Sequence, residues 1–139
     1  MGAFVNYGSD WQEPGRILYG NRGAVVVGEL DGSIRPRTKQ MHALMQQFEP
    51  EAILTHNIWG YLWGKLGYGA MLFATALTPD SMSANFANPE RSPALVNLAR
   101  EVMAVALAEN VTPLASMDLR QKVTFPTVQT LKQKNPSLR

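Results

Sequence analysis

Between Asn57 and Leu77 the chain reads Asn-Ile-Trp-Gly-Tyr-Leu-Trp-Gly-Lys-Leu-Gly-Tyr-Gly-Ala-Met-Leu-Phe-Ala-Thr-Ala-Leu, with Lys65 as its single charge. A helix this apolar has no side to give to water, so it belongs inside a protein or inside a bilayer. Asn57 is a fair N-cap and Pro79 a stop, which predicts one helix from about Asn57 to Thr78. Ile58 to Leu77 is long enough to span a bilayer. Against a span stand a central lysine costing about 2.5–3.5 kcal/mol, the glycines at 60, 64, 67 and 69, and His56 and Asn57 where basic anchors are expected. The favoured reading is a long buried helix in a chain that does not enter the membrane.

On a helical wheel Lys65 falls between Leu62 and Leu72 and on the side of Ile58, Gly69 and Ala76, where core residues point. Two readings follow. Desolvation lowers a lysine pKa, and lysines so placed serve proton transfer or Schiff-base chemistry. Equally, the side chain reaches a backbone carbonyl or snorkels outward in a structural role. On the opposite face Gly60, Gly64 and Gly67 line up, which lets a second backbone approach closely.

The rest of the composition narrows the classes. A 45% hydrophobic, 17% charged chain is globular, and 139 residues suffice for one domain or slightly more. A net charge of +2 is too small to argue for nucleic acid or an anionic membrane. With no cysteine there is no disulfide framework and no thiolate chemistry. Two histidines, His42 and His56, do not make a metal site. The N-terminus lacks the order of a secretory signal, so the expected location is cytoplasmic.

The expected fold class is α+β, short antiparallel strands followed by helices. Strands are predicted at Gly2 to Tyr7, Arg16 to Tyr19 and Ala24 to Gly28, the last two joined by a turn at Gly20-Asn21-Arg22-Gly23, with further turns at Pro14-Gly15 and Asp31-Gly32. Pro36 opens a helix carrying Met41, Leu44, Met45 and Phe48, and Pro50 closes it. A short strand from Ala52 to Thr55 precedes the long helix. One helical turn is expected near Met82 to Phe86, and Ser92-Pro93 starts a helix bearing Leu95, Leu98, Val102, Val105 and Ala106 that ends near Asn110. Beyond Thr112 no period holds. Gly64-x-x-Gly67-x-Gly69 lies inside a helix with its amides already used, so it is not a nucleotide loop.

The order of Glu13-Pro14-Gly15-Arg-Ile-Leu-Tyr19, Arg22-Gly23 through Gly28-Glu29-Leu-Asp31-Gly32, Asn57-Ile58 through Trp63-Gly64-Lys65-Leu66, and Thr75-Ala76-Leu77 resembles the ketopantoate reductase family, NADPH-dependent 2-dehydropantoate 2-reductases. The resemblance covers roughly residues 3 to 113. It implies that residues 1–56 are the terminal strands and helix of a nucleotide-binding domain, that residues 57–113 begin the helical substrate domain, and that residues 114–139 are a divergent tail.

By that resemblance Lys65 is the catalytic acid, giving a proton to the alkoxide as a 2-oxo acid is reduced, and NADP is the cofactor. The family's asparagine one turn after the lysine is Gly69 here, and a second near Phe73 is missing. Asn85 and Asn88 are candidates for the lost substrate contacts, and Glu101 matches an acid on the family's second helix. The nucleotide loop would lie before Met1, so the expectation is a partial reductase, inactive alone. The alternative is a non-catalytic helical module that oligomerises or complements a separate nucleotide-binding chain.

Overall fold

In the computed structural model residues 1–114 are described, without the side chains of residues 21 and 22. The fold is α+β. Strands β1 (Gly2–Glu13) and β2 (Arg16–Gly28) pair antiparallel, and β3 (Ile53–Leu54) joins β2 in parallel, giving the order β1-β2-β3. Helix α1 (Pro36–Phe48) is the crossover that a parallel pair requires. Helices α2 (Ile58–Thr75), α3 (Met82–Ala87) and α4 (Ser92–Ala108) follow. The tail expected from residue 114 lies outside the described residues from 115 onward.

The hairpin turns at Pro14-Gly15, not at Gly20 to Gly23. Proline presets φ for the first central position, and Gly15 supplies φ +80° at the second, the requirement of a type II turn. The three expected short strands are therefore two long ones. Gly20 to Gly23 falls inside β2, where register shifts between the Asn6, Gly8 and Ser9 pairings leave extra residues on β2. A Cβ on Gly23 would sit 1.1 Å from the Asn6 carbonyl oxygen, so the glycines permit a bulge and not a turn.

At the inner end of the hairpin Val25, Val26 and Val27 are all buried. Side chains alternate along a strand, so burial of three in a row means that both faces of β2 are covered. One face holds Phe4 and Val26 against Ile58 and Tyr61 of α2, with Ala24, Ile53, Leu62 and Leu114 around them. The other faces α1, which contacts β2 and β3. At the outer end residues 11–20 are all exposed, Trp11, Ile17 and Tyr19 among them.

Helix α2 starts where its cap predicts: the Asn57 side chain accepts from the Gly60 amide at 2.9 Å. It ends at Thr75, three residues short of the expected Thr78, because the chain tightens there into turns that bond Leu77 to Ala74 and Thr78 to Thr75. Its glycine face is used as expected. Leu114 N–H donates to the Gly60 carbonyl at 2.9 Å, a Cβ on Gly64 would lie 1.8 Å from the Leu114 carbonyl oxygen, and one on Gly67 would lie 2.4 Å from Met103 of α4. Helix α4 turns out of this contact at Asn110, whose φ of +59° lets Val111 N–H reach back to Ala106. Ser92 is the first residue of α4, and its cap position is Arg91. Among the described residues no helix is long and apolar enough to cross a membrane.

Candidate functional site

Lys65 lies on α2 one turn beyond Tyr61, at the margin where the helix leaves the sheet across the outer strand β1. Its Nζ donates to the Val5 carbonyl at 2.7 Å and stands 5.5 Å from the centroid of the Phe4 ring. The ring face attracts the cation electrostatically. The wheel places Lys65 with Ile58, yet Ile58 is buried while Lys65 is exposed. The reason is the extent of the sheet. Gly2 and Gly28 flank Ile58, Phe4 packs on Tyr61 with ring centroids 5.8 Å apart, and at Lys65 the covering strand is already the outermost one. The expected desolvation thus falls on Tyr61, whose phenol is pushed up by burial. Among the described residues no carboxylate pairs with Lys65.

Asn85 and Asn88 are placed by local chemistry at the far end of α2. Asn85 is on α3, 2% exposed, and all its capacity is used: its amide donates to the Asp80 and Ser81 carbonyls at 3.2 and 3.1 Å, and its oxygen accepts from Thr78 Oγ1 and Arg91. Asn88 closes α3, its Oδ1 accepting from the Glu90 and Arg91 amides. Ten residues of helix separate Lys65 from Thr75, about 15 Å of rise. The structure does not bring these asparagines to the lysine. Glu101 is exposed on α4.

A second cluster, at the C-terminal end of β2, carries a strong electrostatic perturbation. Glu29 is 2% exposed. Its carboxylate takes both arms of Arg37 at 2.8 Å, the Thr38 hydroxyl at 2.6 Å and the N-terminal ammonium at 3.2 Å. The Arg37 hydrogen bond, then that of Thr38, hold its pKa far below the usual carboxylate range, against a smaller upward push from burial. Arg37 is raised in turn. Thr38 passes the order on, accepting from the Arg35 amide at the start of α1. The signal was present in the sequence as an acid directly after an apolar strand and an Arg-Thr pair directly after Pro36. Beyond it, the Trp59 indole donates to Leu30 and His56 Nδ1 meets the Gly32 carbonyl, pinning residues 29–33 to the start of α2.

These groups do not fit the pyrophosphate of a dinucleotide. At the first turn of α1, where a phosphate would find helix amides, the Arg37 and Thr38 side chains already hold the Glu29 carboxylate, a negative group, and Gly64, Gly67 and Gly69 lie inside α2. Nor, among the described residues, do three His, Asp or Glu side chains converge to hold a metal ion. Comparison with protein-family models, with curated proteins and with solved structures finds no match.

Proposed function

We propose that this chain is a partial reductase of the ketopantoate reductase type, supplying the proton-donor lysine and inactive without a separate nucleotide-binding domain. The observation that carries the reading is the setting of Lys65: an accessible ammonium at the seam between sheet and helical layer, held by a carbonyl and a ring, with no carboxylate to neutralise it among the described residues. Seams between layers or domains are preferred ligand sites. A positive donor there suits a 2-oxo acid, because it stabilises negative charge on the carbonyl oxygen as that carbon is reduced and then protonates it. Asn85 and Asn88 have no part in this reading, being committed to the α2–α4 connection. The hydride source belongs to a nucleotide-binding domain.

The test is reconstitution. The purified chain alone should leave NADPH unoxidised in the presence of ketopantoate. Mixed with the separately produced nucleotide-binding domain of a ketopantoate reductase, it should oxidise NADPH, and Lys65→Met should reduce that rate at least a hundredfold. Oxidation by the chain alone, or a Lys65→Met pair as active as the parent, overturns the proposal.

A second reading, a non-catalytic module that assembles with itself or another chain, is favoured by the apolar stripe on the outer hairpin. Ile17 and Trp11 pair across the strands, Tyr19 lies two residues along β2 from Ile17, and Tyr7 bridges Tyr19 and Phe48 with ring centroids 5.8 and 5.3 Å apart. Exposed apolar patches of this kind mark contact surfaces. A well-folded protein whose solution mass is that of one chain at every concentration removes this reading.

A further inference from the structure

Strand β1 is covered on one face and open on the other. Phe4 packs toward α2, so Ala3, Val5, Tyr7, Ser9 and Trp11 lie on the opposite face. On that side α1 sits over β2 and β3 and reaches β1 where Phe48 meets Tyr7. The inner half of β1, with Ala3 and Val5 exposed, therefore floors a groove walled by Phe48 and by Leu44 one turn before it. The outer half belongs to a two-stranded arm whose residues 11–20 are all exposed. A two-stranded ribbon is marginal in water without a further layer. Trp11 pairs with Ile17 and Ser9 with Tyr19, which puts all four on the face that floors the groove. We infer that the arm of each chain lies in the groove of a second copy, the two β1 strands antiparallel and face to face across a two-fold axis near Gly8.

Four observations select that occupant. Length is the first: Gly8 stands close to the middle of β1 (Gly2–Glu13), so the groove before it and the arm beyond it each run about 20 Å. Size is the second. A two-fold contact must be self-complementary, residue i meeting j and j meeting i, and an axis at Gly8 sets Trp11 of each copy over Val5 of the other and Tyr7 over Ser9, large against small both times. Third, Ala3, Val5, Tyr7, Ser9, Trp11, Ile17 and Tyr19 carry no charge, so closing the contact strips no ion of water at these positions. Area is the fourth. Trp11, Ile17, Tyr19 and Phe48 are 70, 70, 56 and 67% exposed, and Val5 and Leu44 are 47 and 57%. At roughly 200 Å² for an aromatic side chain and about 100 Å² for an aliphatic one, these six offer about 550 Å² per copy, or about 1,100 Å² for the pair. Apolar atoms make up about 65% of a homodimer interface, which implies about 1,700 Å² in all, the size of a standard specific interface.

The contact rests on the reading of the chain as a self-assembling module; it does not depend on proton transfer by Lys65, and its test reads no activity. The full chain should sediment as a dimer at micromolar concentration. Trp11→Glu should weaken association at least tenfold with an unchanged circular dichroism spectrum, since the ring is mostly in water in a single copy, whereas Phe73→Glu on the exposed side of α2 should leave the dimer intact. The chain has no cysteine, so introduced thiols report without background. With a short bis-maleimide Ser9→Cys should give a cross-linked dimer, its two copies being about 7 Å apart along the strands, and Gln12→Cys should give none at about 27 Å. A monomer at every concentration overturns both the contact and the self-assembling reading. A dimer that cross-links through position 12 and not position 9, that survives Trp11→Glu, or that is lost with Phe73→Glu overturns this contact and leaves self-assembly standing.

Discussion

Gly64→Ala and Gly69→Ala make the same chemical change on one helix, and the structure assigns them opposite signs. In an unobstructed helix interior glycine to alanine stabilises by about 1 kcal/mol, because alanine has less backbone freedom to lose. Gly69 is such a site, with nothing near its missing Cβ. At Gly64 the added carbon would lie 1.8 Å from the Leu114 carbonyl oxygen, where ordinary contact begins at 3.4 Å. The obstacle is backbone, so residues 112–114 must retreat by about 1.6 Å as a unit. That movement breaks the Leu114 to Gly60 hydrogen bond, about 1 kcal/mol, and lifts a partly buried leucine off the Phe4 cluster, about another 1–1.5 kcal/mol. Residual overpacking adds about 1 kcal/mol or more. After the propensity gain is subtracted, Gly64→Ala should destabilise by about 2–3 kcal/mol, roughly 8–12 °C in Tm for a domain of this size. Gly69→Ala should raise Tm by about 3–4 °C. Both are read by thermal and urea unfolding in dilute protein. A Gly64→Ala variant that melts at or above the parent refutes the packing of residues 112–114 on α2, and with it the account of the glycine face.

Two further outcomes follow from the buried polar groups. Glu29 is depressed in the folded state relative to about 4.3 in an unfolded chain, so its contribution to stability is fully present above that value and is lost as pH falls below it. Urea midpoints should therefore drop between about pH 4.5 and pH 2, and Glu29→Gln should flatten that part of the profile; an unchanged slope means that the Arg37 and Thr38 contacts do not form. Asn85→Ala should cost about 2–3 kcal/mol, since it strips partners from Thr78, Arg91 and two carbonyls at a buried position, whereas Asn88→Ala should cost about 1 kcal/mol, and in the reconstituted assay neither should change KM for a 2-oxo acid.

Where a residue's own chemistry decides, sequence and structure agree closely. Pro36 and Pro50 bracket α1 because proline suits a helix start and the residue before it resists helix. Asn57 begins α2 because its side chain replaces a partner that the first amides lack. The close approach at Gly60, Gly64 and Gly67 was legible because three absent side chains on one face leave room that only packing uses. The hairpin was not. Pro14-Gly15 and Gly20 to Gly23 are both good turns in isolation, and only the pairing of β1 with β2 decides between them, since a turn at the second site would leave Trp11 and Ile17 without the partner strand each now has.

Lys65 and Asn85 mark the same limit at the site. A helical wheel gives phase and nothing about where the covering layer stops, so it grouped Lys65 with Ile58, while the edge of a three-stranded sheet leaves one exposed and the other buried. Asn85 reads as loop chemistry in sequence, yet four groups from Thr78 to Arg91 converge on it in space. Sequence alone determined the α+β class, the starts of the helices and the side of α2 that another backbone crosses, because caps, prolines, periodicity and missing side chains act within a few residues. Tertiary structure alone decided the hairpin register, the exposure of Lys65 and the burial of Glu29, because each depends on which distant backbone or charge arrives beside it.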